Sequence, residues 1–427
     1  MRYQEAQAFL YSLKGLGMRL TLDRMERFCE LLGHPEKRIR AVHVAGTNGK
    51  GSTSAALASI FQVAGLRTGL YTSPHLVDLR ERIQMNRALI SEEAFAAAVE
   101  RALPAWKALE KEGAPPTFFE LMTALAFDYF ADQKVDIAVI ETGLGGRLDA
   151  TNVIEKPLAC VMTSIGLDHE RILGGTLAQI AHEKAGIFKE GALLFAADAP
   201  PEVHEVLEGR AHKLGLEVEF VPPARKISLE SQNGQLKQRF ECGDAVYETS
   251  LLGTHQLQNL ALAIHTTRGL QKCLMFSDEA IQQGIAEAKW AGRFDVIGSD
   301  PWWILDGAHN ADGLKNACAA WMESIGAPPG RVIFGALGDK QFETMAEVLD
   351  AWADDLEIWL VPIDSDRALD PQKLVPYFTR NQPRVLDSAA DACTAQHEKP
   401  HLRGTFLLGS LYLVGEALRW LRERGLH

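Results

Sequence analysis

The chain has 427 residues, 47% hydrophobic and 23% charged, with a formal net charge of −12. That length predicts two or three domains of ordinary soluble-enzyme composition. The acidic balance excludes nucleic acid as the main partner, since a phosphate backbone demands a basic face, but it leaves room for an anionic small molecule in a local basic pocket.

Six cysteines are scattered without a CxxC pair, the pattern of buried thiols in a reducing compartment. The N-terminal MRYQEAQAFLYSL lacks a basic n-region and a long apolar h-region, and no apolar run reaches ~18 residues. These features predict a cytoplasmic protein without membrane contact.

Residues 3–32 read as helix, broken at Gly15 and Gly17. An apolar strand over 39–45 then runs into Gly46-Thr47-Asn48-Gly49-Lys50-Gly51-Ser52-Thr53, followed by helix over 52–63. Strand, glycine loop and helix make a phosphate cradle. Glycines let backbone N–H groups approach phosphate oxygens, the helix N-terminus adds its dipole, and the lysine neutralises β/γ charge. The spelling differs from GxxxxGK[ST], with Val44 at the first glycine position and Gly51 directly after Lys50.

A strand over 68–71 ends in Thr72-Ser73-Pro74-His75, and helix is expected over 92–112. After Pro115-Pro116 a helix starts near Thr117, with Phe118, Leu121, Met122, Leu125 and Tyr129 on one apolar face. The runs 135–140 and 158–163 read as buried parallel strands. The first leads into Glu141-Thr142-Gly143-Leu144-Gly145-Gly146, the second into Ser164-Ile165-Gly166-Leu167-Asp168-His169.

Residues 225–251 alternate, carry Asn233-Gly234 and read as antiparallel hairpins. Helices follow over 256–269 and 278–288. Beyond a boundary near Ser299-Asp300-Pro301, strands over 302–305, 332–334, 358–361 and 405–408 alternate with helical sequence. The fold class is therefore α/β: an ATPase-like N-terminal domain (1–296) with a mostly parallel sheet and a smaller antiparallel part, then a Rossmann-like C-terminal domain (297–427).

Ligands in open α/β sheets bind beyond the carboxyl ends of the strands. The phosphate loop, Ser73, Glu141 and Asp168-His169 all occupy such ends. A hydroxyl, a carboxylate and an imidazole beside a triphosphate are plausible Mg²⁺ ligands, imidazole being the least typical. Singly, Ser73 also suits an ordinary turn and His169 a structural role. Glu141 on an apolar strand needs a partner or a metal.

The motifs GTNGKGST, TSPHL, ETGLGGRLDATN, SIGLDHE, HEKAGIFK, HQLQN, AGRF and LDGAHN occur in this order along the chain. The ordered set resembles folylpolyglutamate synthase and the bifunctional dihydrofolate synthase of bacteria, within the Mur-ligase superfamily.

The resemblance implies a set of roles. Gly46, Thr47, Asn48, Gly49, Lys50, Gly51 and Ser52 hold ATP, with Asn259, Arg293, Asp306 and His309 as further nucleotide contacts. Ser73 and Glu141 bind one Mg²⁺; Glu141, His169 and Lys184 frame a second. Lys184 matches the family's carbamylated position, and a monovalent cation accompanies the metals. Lys50, Glu141, His169 and Lys184 form the catalytic set. The pterin lies near Thr117, Phe118, Phe119, Glu120, Arg147, Leu148, Asp149 and Ala150, and near the turn Arg19-Leu20-Thr21.

Several of these residues also suit plainer roles. Phe118 and Phe119 fit a helix core, Arg147 and Asp149 a mutual ion pair, Asp306 a strand-end turn, and His255 a helix start facing water.

The implied reaction is ATP-dependent ligation of L-glutamate to dihydropteroate and to reduced folates through an acyl phosphate, by a monomer. The alternatives are folylpolyglutamate synthase activity alone, or a Mur-type amino-acid ligase. The latter carries an extra N-terminal domain, and the sequence ahead of Gly46 falls short of a ~50-residue domain. A non-enzymatic nucleotide switch would need the phosphate loop but not Glu141, His169 and Lys184 together.

Overall fold

A computed structural model describes residues 1–17, 21–232, 235–338 and 340–426. Arg19 and Leu20 of the early turn and the Asn233-Gly234 pair lie outside the described residues. By compactness the chain forms two units, Met1–Ala224 with Gln258–Ala288, and Arg225–Leu257 with Lys289–His427.

The first unit is built on β1 (Ala41–Ala45), β2 (Thr68–Tyr71), β3 (Ile83–Met85), β4 (Ala88–Leu89), β5 (Ile137–Glu141), β6 (Ala159–Met162), β7 (Leu193–Ala197) and β8 (Val218–Val221), in the order β4-β3-β2-β5-β1-β6-β7-β8. From β2 to β8 every pairing is parallel. β3 and β4 close one edge antiparallel.

β1 and β5 are buried at every position, which is why they read as unbroken apolar runs rather than alternating ones. The chain leaves β1 toward β2 on one side and β6 toward β7 on the other. The carboxyl ends of β1 and β6 therefore flank a topological switch point, where such sheets bind ligands.

Helices cover both faces. One core cluster gathers Phe28, Phe95, Phe127 and Phe130 with Tyr71, and a second gathers Phe188, Leu194, Val203 and Leu207. The helix after the phosphate loop, Lys50–Val63, is buried from Ser52 to Phe61. Its run of Ala and Ser lets it lie close to neighbours; a Cβ on Gly284 would sit 2.4–2.8 Å from Ile60 atoms. The helix Phe118–Asp132 starts where Thr117 caps it, with Glu120 closing the reciprocal bond.

The second unit holds an antiparallel sheet of β9 (Arg225–Gln232), β10 (Gln235–Cys242) and β11 (Ala245–Thr249). Its larger sheet contains β12 (Asp295–Ser299), β13 (Trp302–Asp306), β14 (Arg331–Phe334), β15 (Glu357–Leu360), β16 (Arg384–Val385) and β17 (Thr405–Leu408), ordered β12-β13-β17-β14-β15-β16. Only β12 runs antiparallel to its neighbour. Leu236 of β10 and Leu252 belong to the same core cluster as Trp321, Phe334 and Phe406, so compactness groups the small sheet with the C-terminal unit. A linear division at 296/297 would keep it with the N-terminal one.

The structure adds elements absent from the sequence reading. Among them are the edge pair β3–β4, strands β7, β8, β12 and β16, and the helices Leu177–Ala185 and Pro201–His212. The N-terminal helical stretch resolves into Tyr3–Ser12, a 3-10 turn Leu13–Leu16, and Asp23–Leu31. Among the described residues, no helix is long and apolar enough to cross a membrane.

Candidate active site

β1 ends at Ala45, and the loop turns at Gly46 (φ 149°) and Gly49 (φ 90°) before the helix Lys50–Val63 begins. Both glycines are required. A Cβ on Gly46 would overlap the Thr163 hydroxyl, and one on Gly49 would overlap the side-chain amide of Asn259. Asn259 is buried and lies in the same unit as the loop, so the structure brings it to the phosphate loop.

The β6 end braces the loop from the other side. Thr47 N donates to the Ser164 carbonyl (2.7 Å), and the hydroxyls of Thr163 and Ser164 both donate to the Asn48 carbonyl (2.8 and 3.1 Å). A rigid loop presenting helix-start amides and dipole is an anion site.

Two lysine side-chain nitrogens meet on one carbonyl. Lys50 Nζ donates to Gly46 O (3.0 Å) and Thr47 O (3.1 Å), and Lys184 Nζ donates to Gly46 O at 2.6 Å. Lys184, from the helix Leu177–Ala185, is only 4% exposed. Burial, and then the charge of Lys50, hold its pKa well below the ordinary lysine value, while Asp168 and Asp149 pull the other way.

Glu141 is the buried last residue of β5 and accepts the Ser73 backbone N–H at 3.0 Å. The two thus sit together at the β2 and β5 ends. His169 opens the short helix Glu170–Leu173 in the left-handed region (φ 53°). Its exposed ring holds Nε2 3.9 Å from Asp168.

The glycine-rich segment packs against the helix that carries Lys184. A Cβ on Gly146 would meet Lys184 O at 2.6 Å. Arg147 is exposed and pairs with Glu183 (Nη2–Oε1 2.9 Å). Asp149 is buried and takes the amides of Gly143 and Leu144 on one oxygen (2.9 Å each), and the amide and hydroxyl of Thr151 on the other (3.0 and 2.5 Å). The expected alternative of a mutual Arg147–Asp149 pair is therefore corrected: Glu183 is closer to the guanidinium, and four donors surround the carboxylate. Burial raises the Asp149 pKa and those hydrogen bonds oppose the rise. Leu148 is half-buried and Ala150 buried.

Thr117 and Glu120 form the capping box, and Glu120 is salt-bridged to buried Arg24 at 2.6 Å. Phe118 and Phe119 are each half-buried against the core. Phe118 stacks near Tyr11 (6.3 Å, 13°), and the Phe119 ring lies where a Cβ on Gly143 would fall. Core packing and ring exposure thus coexist in both. Sequence reasoning missed Arg24, which no local pattern marks. It also missed His43, which the lone imidazole in an apolar strand could have flagged.

The second unit carries its own cluster. Asp306 ends β13, is 5% exposed, and accepts the amides of Phe294 and Ala308 (2.8 Å each). Burial raises its pKa, opposed first by Arg293 and then by His255. His255 is not a solvent-facing helix start: it is partly buried, and desolvation lowers its pKa. The Arg293 guanidinium lies 2.5 Å from a Cβ on Gly307, and His309 Nδ1 bonds Gly307 O at 2.8 Å.

Residues 44–267 match the Mur ligase middle domain and residues 292–399 the Mur ligase glutamate ligase domain. The chain is 42% identical over 359 residues to a dihydrofolate synthase/folylpolyglutamate synthase of Bacillus subtilis, covering 82% of this chain and 83% of that protein. It is 33% identical to a folylpolyglutamate synthase of Lacticaseibacillus casei, covering 97% of each. Among solved structures, an FPGS–AMPPCP–folate complex superposes with a TM-score of 0.85 at 31% identity, covering 99% of this chain and 100% of that one. E. coli FolC in complex with DHPP and ADP gives 0.84 at 28%, covering 100% and 99%. By these similarities the chain belongs to the Mur ligase family and to its dihydrofolate synthase/folylpolyglutamate synthase branch.

Proposed function

We propose that this chain ligates L-glutamate to dihydropteroate and to (poly)glutamylated reduced folates, consuming ATP. The observation that carries the reading is the pair of lysines on the Gly46 carbonyl at a glycine phosphate loop, in a chain 42% identical to a curated dihydrofolate synthase/folylpolyglutamate synthase. A substrate carboxylate oxygen attacks the γ-phosphorus and the bond to ADP breaks, giving an acyl phosphate. The glutamate amine then attacks the acyl carbon, a C–N bond forms, phosphate leaves and a proton is lost. Lys50 and the loop amides bind and orient the triphosphate, and Asn259 holds the loop from behind.

The donor set fits Mg²⁺. Among the described residues no group of three or more His, Cys, Asp or Glu forms a metal cage. Mg²⁺ needs none, because it takes one or two carboxylates and completes its shell with phosphates and water. Ser73 and Glu141 would hold one ion and Glu141, His169 and Lys184 a second, supplying charge neutralisation to the phosphates. The monovalent cation rests on the resemblance alone.

Lys184 is suited to carbamylation. Its neutral amine, favoured by burial beside Lys50, attacks CO₂; an N–C bond forms and one proton passes to solvent. The product is an oxygen donor of negative charge. A carbamate carbon signal after ¹³C-bicarbonate labelling, lost in Lys184→Ala, is expected; its absence from the active wild type overturns the assignment.

Arg293, Asp306 and His309 are assigned to ATP, Thr117 to Glu120 and Arg147 to Ala150 to the pterin. A cytoplasmic monomer without nucleic-acid or membrane partners completes the reading, and the acidic charge supports the exclusion of nucleic acid. ADP release is measured with glutamate plus dihydropteroate and with glutamate plus tetrahydrofolate. Turnover with both is expected; turnover with tetrahydrofolate alone leaves folylpolyglutamate synthase activity only, and turnover with neither overturns the reading.

A further inference from the structure

His43 is the one polar side chain of β1, fully buried three residues before the phosphate loop. Its Nε2 lies 2.8 Å from Thr151 Oγ1, and Thr151, also fully buried, lies 2.5 Å from Asp149 Oδ1. Thr151 has a single hydroxyl proton. Given to the carboxylate, it leaves Oγ1 to accept from His43, so the imidazole carries its proton on Nε2. His43 Nδ1 has no hydrogen-bond partner among the described residues, consistent with that tautomer.

At the far end, Asp149 Oδ2 holds the amides of Gly143 and Leu144. Gly143 lies against the Phe119 ring so closely that a Cβ would strike it. A buried line therefore runs from the strand that feeds the phosphate loop, through the side chains of His43, Thr151 and Asp149, to the loop and ring assigned to the pterin. Glu141 is held independently: Thr142 N donates to Val44 O at 2.9 Å, continuing the strand pairing.

We propose that His43 and Thr151 are positioning residues for the pteroyl substrate: they lock the Asp149 carboxylate, which fixes residues 143–149 against Phe119. This rests on the folate-ligase reading. A buried carboxylate without its side-chain donor would keep three amides but lose the bond that sets its rotation. Residues 143–149 would then drift, while the phosphate loop, held by Thr163 and Ser164, would not.

The test compares wild type with Thr151→Val, which removes the hydroxyl at nearly constant volume, and Thr151→Ser, which retains it. Tetrahydrofolate and ADP binding are measured separately by calorimetry, with KM for tetrahydrofolate and for ATP. Thr151→Val is expected to weaken tetrahydrofolate binding by about tenfold or more, with ADP affinity within about twofold of wild type. Thr151→Ser is expected to restore most of the loss.

If Thr151→Val does not fold, His43→Gln (an amide donor in place of Nε2) is read against His43→Leu, with the same selective loss expected only in the latter. Unchanged tetrahydrofolate binding in Thr151→Val, equal loss of both ligands, or failure of Thr151→Ser to rescue overturns the proposal. A wild type that neither binds nor turns over tetrahydrofolate defeats the ligase reading itself; a wild type that does both, matched by Thr151→Val, defeats only the relay.

Discussion

Single side chains carry the sharpest consequences. Lys50 is half-buried and donates to the loop carbonyls of Gly46 and Thr47. Lys50→Ala is expected to lose turnover while urea unfolding shifts by no more than ~0.5 kcal/mol. Near-native ligation rates in that variant would sink the loop assignment.

His43 gives a pH effect of definite sign. Burial, then the charge of Lys189, lowers its pKa from the usual value of 6.5 to about 3. Between those values the unfolded chain binds a proton that the native chain refuses. Stability is therefore full above pH 6.5 and falls as pH drops toward 3, by about 1.4 kcal/mol per unit from this group. The acid limb of unfolding free energy should be shallower in His43→Gln than in wild type; parallel limbs contradict the assignment.

At the scale of elements, the phosphate loop and the capped helix Phe118–Asp132 are the parts most exposed to one wrong atom. Gly46 combines φ 149° with a Cβ direction that runs into Thr163. Gly46→Ala should cost ~1–3 kcal/mol in backbone strain alone, and ADP binding should fall with it because the loop amides move. Calorimetry showing wild-type ADP affinity would mean the loop is not the anion site.

The start of helix Phe118–Asp132 depends on a longer reach. Glu120 closes the cap and also pairs with Arg24, each about nine-tenths buried or more. Arg24→Ala leaves that carboxylate without its charge partner, and a loss of ~3–5 kcal/mol is expected in chemical denaturation. A loss under ~1 kcal/mol, the size of an exposed pair, would show that the bridge is not desolvated.

For the whole molecule, two compact units make a single transition an unsafe assumption, so unfolding is best followed by calorimetry. Mg²⁺-ADP at ~100 times its Kd should add ~2.7 kcal/mol to whatever transition includes the phosphate loop. Chelation by EDTA should shrink that shift; an equal shift with and without metal argues against Ser73 and Glu141 as ligands. Asp306→Ala should raise KM for ATP, and an unchanged KM removes the second unit's cluster from the nucleotide assignment.

The alternation of buried strands and helices around the phosphate loop is legible in local pattern, because a fully buried parallel strand leaves a continuous apolar run and a tight turn demands glycine. β2 and β17 fall on their expected residues, and β1, β5 and β6 within two. The ordered motifs likewise made the family legible, from Gly46 to Asn310.

The pairings made across long separations emerge only once the chain is folded. Glu120 finds Arg24, Arg147 finds Glu183, Lys184 finds the Gly46 carbonyl, and His43 reaches Asp149 through Thr151. The short strands β7 and β8 and the grouping of the β9–β11 sheet with the C-terminal unit belong here too. Local pattern records which residues prefer burial. The choice of partner is set by chain crossings that bring distant segments to the same strand ends, and no window of sequence contains both members of such a pair.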